Sequence, residues 1–308
     1  SVELFRHTSN QRVEYILLQA ISGAYTMSLI WRPNLPESND GEPLAKTVAD
    51  LLWNFPYHRL PASPTIIHWS MRPEVVLFLV VIYLTSKQPL KLLIQKTNFN
   101  PRSSLFRSWI AFHNAVLALY SGITVVYTWP IVVEHLLEHG LYNTYCDPEK
   151  TLWHSGFGAW ALIFYISKYY EFVDTWILVL KGKEPSFLQV YHHTGIVAIM
   201  WGAVASQSAW LIFVVLLNSL IHTLMYTYFL LKTLYPTIEI RSAKYLTSAQ
   251  IGQFFTGIFC SAGVLYMGER CDSQSSRFSL LCLHLYGFGL IALFMAFAKR
   301  KYSKVSSD

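Results

Sequence analysis

The chain has 308 residues, of which 53% are hydrophobic and 14% charged, against about 25% charge in ordinary soluble domains. Its 24 Lys and Arg and 18 Asp and Glu are gathered between long uncharged stretches, and that distribution excludes a soluble globular enzyme. The chain reads instead as an all-α, polytopic membrane protein.

The first seventy residues mix polar, proline and aromatic positions around one apolar stretch, Tyr15 to Trp31. That stretch stays open between an interfacial helix and an additional span. Acidic residues ahead of it argue against a cleaved signal peptide. Beyond it, a hydrocarbon core of roughly 30 Å needs about 20 helical residues. Glu74 to Leu90 is the weakest candidate, because Lys87 must snorkel from it. Ser108 to Val133 follows, then Thr151 to Leu180, which charges interrupt. Pro185 to Leu231 is too long for one crossing and divides near Ser206, Gln207 and Ser208. Tyr245 to Gly268 and Phe278 to Ala298 complete a set of about seven helices.

Short cytoplasmic loops collect Lys and Arg, and one set of loops is plainly basic. It holds Lys87, Lys91, Lys96, Arg102 and Arg107, then Lys181 and Lys183, then Lys232, Arg241 and Lys244, and a tail with Lys299, Arg300, Lys301 and Lys304. The opposite loops are mainly acidic, which predicts a cytoplasmic C-terminus. Cys146 and Cys271 both fall in those acidic loops. In an oxidising compartment they are candidates for a disulfide joining two helical hairpins; two reduced loop thiols are the alternative. Cys260 and Cys282 read as apolar packing residues.

Four polar clusters lie within the apolar stretches, where polar groups are costly and face a cavity or a partner. Lys168, Glu171, Asp174 and Thr175 fall within roughly 120° of arc on one helix. For Lys168 with Glu171, an internal ion pair holding helices together is as good a reading as direct chemistry. Gln189 and His192 share a face of the next helix, with His193 about 100° round. Asn218, His222, Met225 and Tyr226 lie on one side of the following helix, and Thr247, Gln250 and Gln253 repeat every three residues later. His113, His154 and His284 stand alone.

These four clusters, in this order, resemble the motifs of the very-long-chain fatty acid elongase (ELO) family, the membrane 3-ketoacyl-CoA synthases. The family's Lys-x-x-Glu-x-x-Asp-Thr pattern is similar to Lys168 to Thr175, and its histidine box to Gln189 to His193. Its Asn-x-x-x-His-x-x-Met-Tyr pattern is similar to Asn218 to Tyr226, and its Thr-x-x-Gln-x-x-Gln to Thr247 to Gln253. The resemblance divides the chain into an N-terminal region, 1–72, an elongase membrane domain, 73–302, and a tail, 303–308. Most members carry His where this chain has Gln189, and the variant resembles elongases that act on polyunsaturated acyl chains.

The resemblance implies condensation of an acyl-CoA with malonyl-CoA, releasing carbon dioxide and CoA and leaving a 3-ketoacyl-CoA two carbons longer. It implies His192 as nucleophile, His222 as its partner at the reacting carbonyl, and His193 as an orienting or proton-transfer group. Asn218, Gln189 and Gln250 are donors for the enolate, with Tyr226 and Gln253 in the same polar site. CoA phosphates are expected near Lys181, Lys183, Arg241 and Lys244, residues that the positive-inside rule explains equally well. Six helices are expected to form a barrel around an acyl tunnel. No metal or permanently bound cofactor is expected. The implied partners are acyl-CoA, malonyl-CoA, membrane lipid and the ketoreductase, dehydratase and enoyl reductase of the cycle, in the endoplasmic reticulum membrane. No nucleic acid is expected, and a homodimer is allowed. Two other readings remain: a transporter using Lys168, Glu171 and Asp174 as a relay, and a di-iron acyl desaturase, for which only three histidines have motif spacing.

Overall fold

The structure is a computed structural model that describes residues 69–97, 99–238 and 243–302. The Tyr15–Trp31 stretch, Arg241 and the tail from 303 onward lie outside the described residues. The described elements are all helical: α1 (Pro73–Thr85), α2 (Lys87–Lys96), α3 (Ser104–Cys146), α4 (Gly158–Tyr170), α5 (Phe172–Leu180), α6 (Phe187–Ala205), α7 (Leu211–Leu234), α8 (Ala243–Met267) and α9 (Gln274–Tyr302).

Local chemistry sets several of these ends. Pro73 opens α1, where its missing N–H costs nothing. Ser103 and Ser186 cap α3 and α6, accepting from the amides of Phe106 and Gln189 at 3.3 and 3.2 Å. Arg107 donates to the carbonyls of Thr233 and Leu234 at 2.8 and 2.5 Å, capping the C-terminal end of α7 where a cation suits the helix dipole. Within α3, Gly140 takes φ +78° in open space, so backbone conformation rather than crowding calls for glycine there.

Four described helices, α3, α7, α8 and α9, are each long and apolar enough to cross a membrane; α1 and α2, bent by 45°, make a fifth if they are one span. Length and composition therefore reach four or five spans rather than seven. Two expected spans account for the difference. Thr151 to Leu180 is cut by a π-helical turn at Trp153–Phe157 and again at Glu171, so its pieces are the 13 residues of α4 and the 9 of α5. Helix α6 has 19 residues but spends Gln189, His192, His193 and Thr194 on polar positions. In the other direction, α3 continues beyond Val133 to Cys146.

Helix α7 lies along α3 and against α8, α8 packs on α9, α9 on α6, and α6 on α4, which touches α3 and α7. The largest buried side chains include Trp153, Trp210, Tyr165, Phe157 and Met200. At one end of the bundle Cys146 and Cys271 are joined in a disulfide. Beside it, Asp147 accepts from the amides of Leu152 and Trp153 at 3.0 and 2.9 Å. Asp272 accepts from Lys150 at 3.1 Å and from Ser276 at 2.5 Å, and the indole of Trp210 donates to Ser276 at 3.0 Å. The disulfide closes a separation of 125 residues, for which the loop-entropy ceiling is about 5 kcal/mol. Helices retained in a bilayer after unfolding reduce that figure. Cys271→Ser should lower the thermal midpoint by several degrees, and reductant should lower the wild type to the same value; a reductant-insensitive wild type would contradict the tie.

Candidate active site

Lys168 and Glu171, three residues apart where α4 meets α5, place two charges side by side in the interior. Lys168, on the last turn of α4, donates to Glu171 Oε1 at 2.6 Å and to Asn218 Oδ1 on α7 at 3.0 Å. Its Nζ also sits 4.0 Å from the centre of the Phe164 ring. Lys168 and Glu171 are 1% and 2% exposed, a burial that only mutual neutralisation and hydrogen bonding make tolerable. His222 Nδ1 lies 3.4 Å from the same Glu171 oxygen, while Glu171 Oε2 has no hydrogen-bond partner among the described residues.

Asp174 does not join that pair. It faces α3 and α7 instead, with His113 Nε2 at 2.9 Å and Tyr226 donating its hydroxyl at 2.6 Å; Tyr170 Oη lies 3.2 Å from the other nitrogen of His113. His113 is thus not the isolated histidine that the sequence suggests, and His284 is not isolated either, since its Nε2 lies 2.8 Å from Ser261 Oγ. Gln189 forms a third group, donating to Thr175 at 3.0 Å, whose hydroxyl is 2.9 Å from that of Tyr83 on α1. His193 is turned the same way, edge-on to Tyr83 and Phe172 at 6.0 and 6.2 Å.

A cavity lies between α6, α7, α8 and α9. His192, Asn218 and Gln253 line it with Phe254, Gly257 and Trp210. Along α7 the lining runs from Asn218 to Trp210, about 12 Å at a rise of 1.5 Å per residue. The carbonyl oxygen of the Gln253 side chain is buried there without a partner among the described residues. Gln250 bridges to α7 through Met225 Sδ at 3.3 Å. Thr247 is elsewhere: it bonds to the Ala243 carbonyl and lies 3.1 Å from Tyr302 Oη at the end of α9.

Among the described residues, one trio brings metal-ligating atoms within 4.8 Å of one another: Glu171, His192 and His222. Two imidazoles and a carboxylate form a donor set that zinc accepts. Any cation entering it would compete with the ammonium of Lys168 for Glu171.

Residues 68–308 match the model of the GNS1/SUR4 (ELO) family. The chain belongs to this family. Its similar proteins include fatty acid elongase sre1 of Dictyostelium discoideum, 35% identical over 58% of this chain and 65% of that protein. Fatty acid elongase 2 of Trypanosoma brucei brucei is 30% identical over 78% of this chain and 94% of its own length. Long chain fatty acid elongase 2 of Caenorhabditis elegans is 28% identical over 73% and 79%.

In this ELO protein the motif residues gather as three adjoining polar groups rather than one cluster. Members of the arrangement that carry no motif signal include His113, Tyr83, and Tyr286 on α9, whose hydroxyl is 3.0 Å from His192 Nδ1. The available hint for Tyr286 is that a tyrosine inside an apolar helix needs a hydrogen-bond partner. At the basic end, Lys181 and Lys183 flank the turn after α5, and Lys244 is exposed on the first turn of α8. Burial pushes the Lys181 ammonium pKa down, and the neighbouring Lys183 pushes it the same way. Glu184 pairs with Lys87 and Lys91 of α2, whose hydrogen bonds hold its carboxyl below the ordinary value. That contribution is present above the ordinary carboxylate range and is lost as pH falls through the lowered value. Because Glu184 is exposed, Glu184→Gln should leave the thermal midpoint at neutral pH and 0.15 M salt within about a degree of wild type; a larger drop would show that the α2 contact matters to the fold.

Proposed function

We propose that this protein catalyses the condensing step of fatty acid elongation, joining an acyl-CoA to malonyl-CoA to give a 3-ketoacyl-CoA, carbon dioxide and free CoA. The observation that carries this reading is a histidine pair, His192 and His222, held beside a buried Lys168–Glu171 pair, with His192 at the head of a largely apolar cavity. A neutral imidazole nitrogen of His192 attacks the thioester carbonyl and CoA leaves as the thiolate, forming an acyl-imidazole that splits one hard condensation into two easier steps. Loss of carbon dioxide from the malonyl unit then generates an enolate whose carbon attacks the acyl carbon and regenerates His192. Asn218 can direct its amide N–H groups to the developing charge, because its carbonyl oxygen is already occupied by Lys168. His222, against Glu171, is the partner at the reacting carbonyl.

The finer reading is of polyunsaturated substrates. Gln189 spends its amide on Thr175, so position 189 acts without titrating, and Phe213, Phe254 and Tyr286 give the cavity aromatic faces suited to bent, π-bearing chains. Seven crossing helices, six of them in a barrel around this cavity, are the accompanying architecture. The C-terminus and the Lys181, Lys183 and Lys244 end face the cytoplasm and take the CoA phosphates. The setting is the endoplasmic reticulum membrane with the three later enzymes of the cycle. Incorporation of radiolabelled malonyl-CoA by purified protein tests the activity. If no acyl-CoA is elongated while a solute crosses vesicles, the protein is a transporter. Equal rates with saturated acyl-CoA of the same length reject the polyunsaturated preference.

The cavity also supplies a test of acyl placement. A Cβ on Gly257, which lines the cavity, would meet no atom within 4 Å. Gly257→Leu therefore enters empty space, and replacing glycine inside a helix favours the helix by up to about 1 kcal/mol. The expected result is an unchanged or raised thermal midpoint with elongation of long acyl-CoA lost and that of shorter chains retained. Uniform loss for every chain length would remove the acyl tail from this cavity.

A further inference from the structure

We propose that Tyr286 is a positioning residue that holds His192 as the Nδ1–H tautomer and so leaves Nε2 as the nitrogen with a free electron pair; the proposal rests on His192 being the nucleophile. The Tyr286 hydroxyl lies 2.9 Å from the backbone carbonyl oxygen of His192 and 3.0 Å from its Nδ1. A hydroxyl has one proton to give, and a carbonyl oxygen can only accept. If the proton goes to the carbonyl, the second contact is completed by a proton on Nδ1 pointing back at the hydroxyl oxygen, and both bonds are made. If the hydroxyl instead donates to Nδ1, its oxygen and the carbonyl oxygen face each other at 2.9 Å with no proton between them. Only the Nδ1–H tautomer satisfies both contacts, and no described side chain hydrogen-bonds Nε2.

The seat of the Tyr286 ring is built for this approach. A Cβ at position 195 would lie 2.3 Å from Tyr286 Cε2, so only glycine lets the ring reach α6 so closely. Tyr191 stacks on Tyr286 with ring centres 5.2 Å apart and 25° between planes, and its hydroxyl donates to the Tyr286 carbonyl at 3.4 Å. Tyr191 in turn needs Gly289, where a Cβ would fall 2.4 Å from its hydroxyl. In the acyl-transfer step the Nε2 pair forms the bond to the acyl carbon, the carbon–sulfur bond breaks, and the thiolate leaves with its electrons. The resulting acyl-imidazolium keeps its proton on Nδ1, where the Tyr286 oxygen accepts an increasingly strong hydrogen bond.

The test uses the full chain with ¹⁵N-labelled histidine in lipid nanodiscs. Nitrogen NMR of the resting enzyme, with His192→Gln as the difference control, should show His192 protonated on Nδ1, and Tyr286→Phe should move it toward the Nε2–H form. Single-turnover acylation by Tyr286→Phe should slow at least tenfold with KM for acyl-CoA little changed. The loss should stay below the roughly 10⁴-fold cost of a wrong tautomer in a serine-protease triad. Phenylalanine keeps the ring, and an unchanged thermal midpoint shows that the fold is intact. An Nε2–H imidazole in the wild type, or acylation at the wild-type rate in Tyr286→Phe, overturns the proposal. Acyl-enzyme formation persisting in His192→Ala instead overturns the nucleophile assignment, leaving the resting-state tautomer to be judged on the spectrum alone.

Discussion

His192→Ala should reduce malonyl-CoA incorporation by at least about 10⁴-fold and abolish hydroxylamine-sensitive acyl-enzyme. Removing the nucleophile of a covalent mechanism leaves only what binding and charge stabilisation provide, a residue far below the intact rate in the enzymes where this has been dissected. The fold should survive, since His192 is only partly buried and lines open space. His222→Ala should also lose turnover while still forming some acyl-enzyme, because His222 contacts Glu171 rather than being the attacking group. Normal elongation by either variant rejects the mechanism. Unchanged trapping in His192→Ala moves the nucleophile to another residue.

The second large effect is on stability. Lys168→Met should cost about 3–5 kcal/mol, because it strands the carboxylate of Glu171 in the interior with one oxygen already unpartnered. Replacing both members, Lys168→Met with Glu171→Leu, should restore most of that loss, since a buried pair is worth little more than an apolar pair of similar volume. Thermal unfolding in nanodiscs of the wild type, both single variants and the double variant gives the coupling. Additive single costs would show that the two charges do not support each other. Activity separates structure from chemistry here: a double variant that is stable but inactive would make the pair part of the reaction site, whereas a stable and active one would make it a helix clamp.

The residue identities of the site were legible in the motifs, but their grouping was not. Lys168 and Asp174 stand at the two ends of the roughly 120° arc, wide enough for the two side chains to meet different helices. Asp174 therefore meets His113 and Tyr226 instead of Lys168. The three-residue repeat of Thr247, Gln250 and Gln253 climbs α8 from its first turn, and of the three only Gln253 lines the cavity. Fewer than seven described helices have the length and composition of a crossing span, for the same reason that the site exists. The polar residues spent on α6 and the break at Glu171 lower the apolar length of the helices that carry them.

By itself the sequence determined the membrane class, the motifs that place the chain in its family, and a candidate pairing of Cys146 with Cys271. These follow from local composition and spacing, which fix how much apolar length a helix has and which residues share its face. Only the tertiary structure decided that His192 meets Tyr286, 94 positions away, and that Asp174 meets His113, 61 positions away. It also brought four helices together around the cavity that His192 heads. Such contacts depend on how far each helix is rotated about its own axis and how closely glycines such as Gly195 let neighbours approach, quantities set by packing between helices rather than by the pattern along one of them.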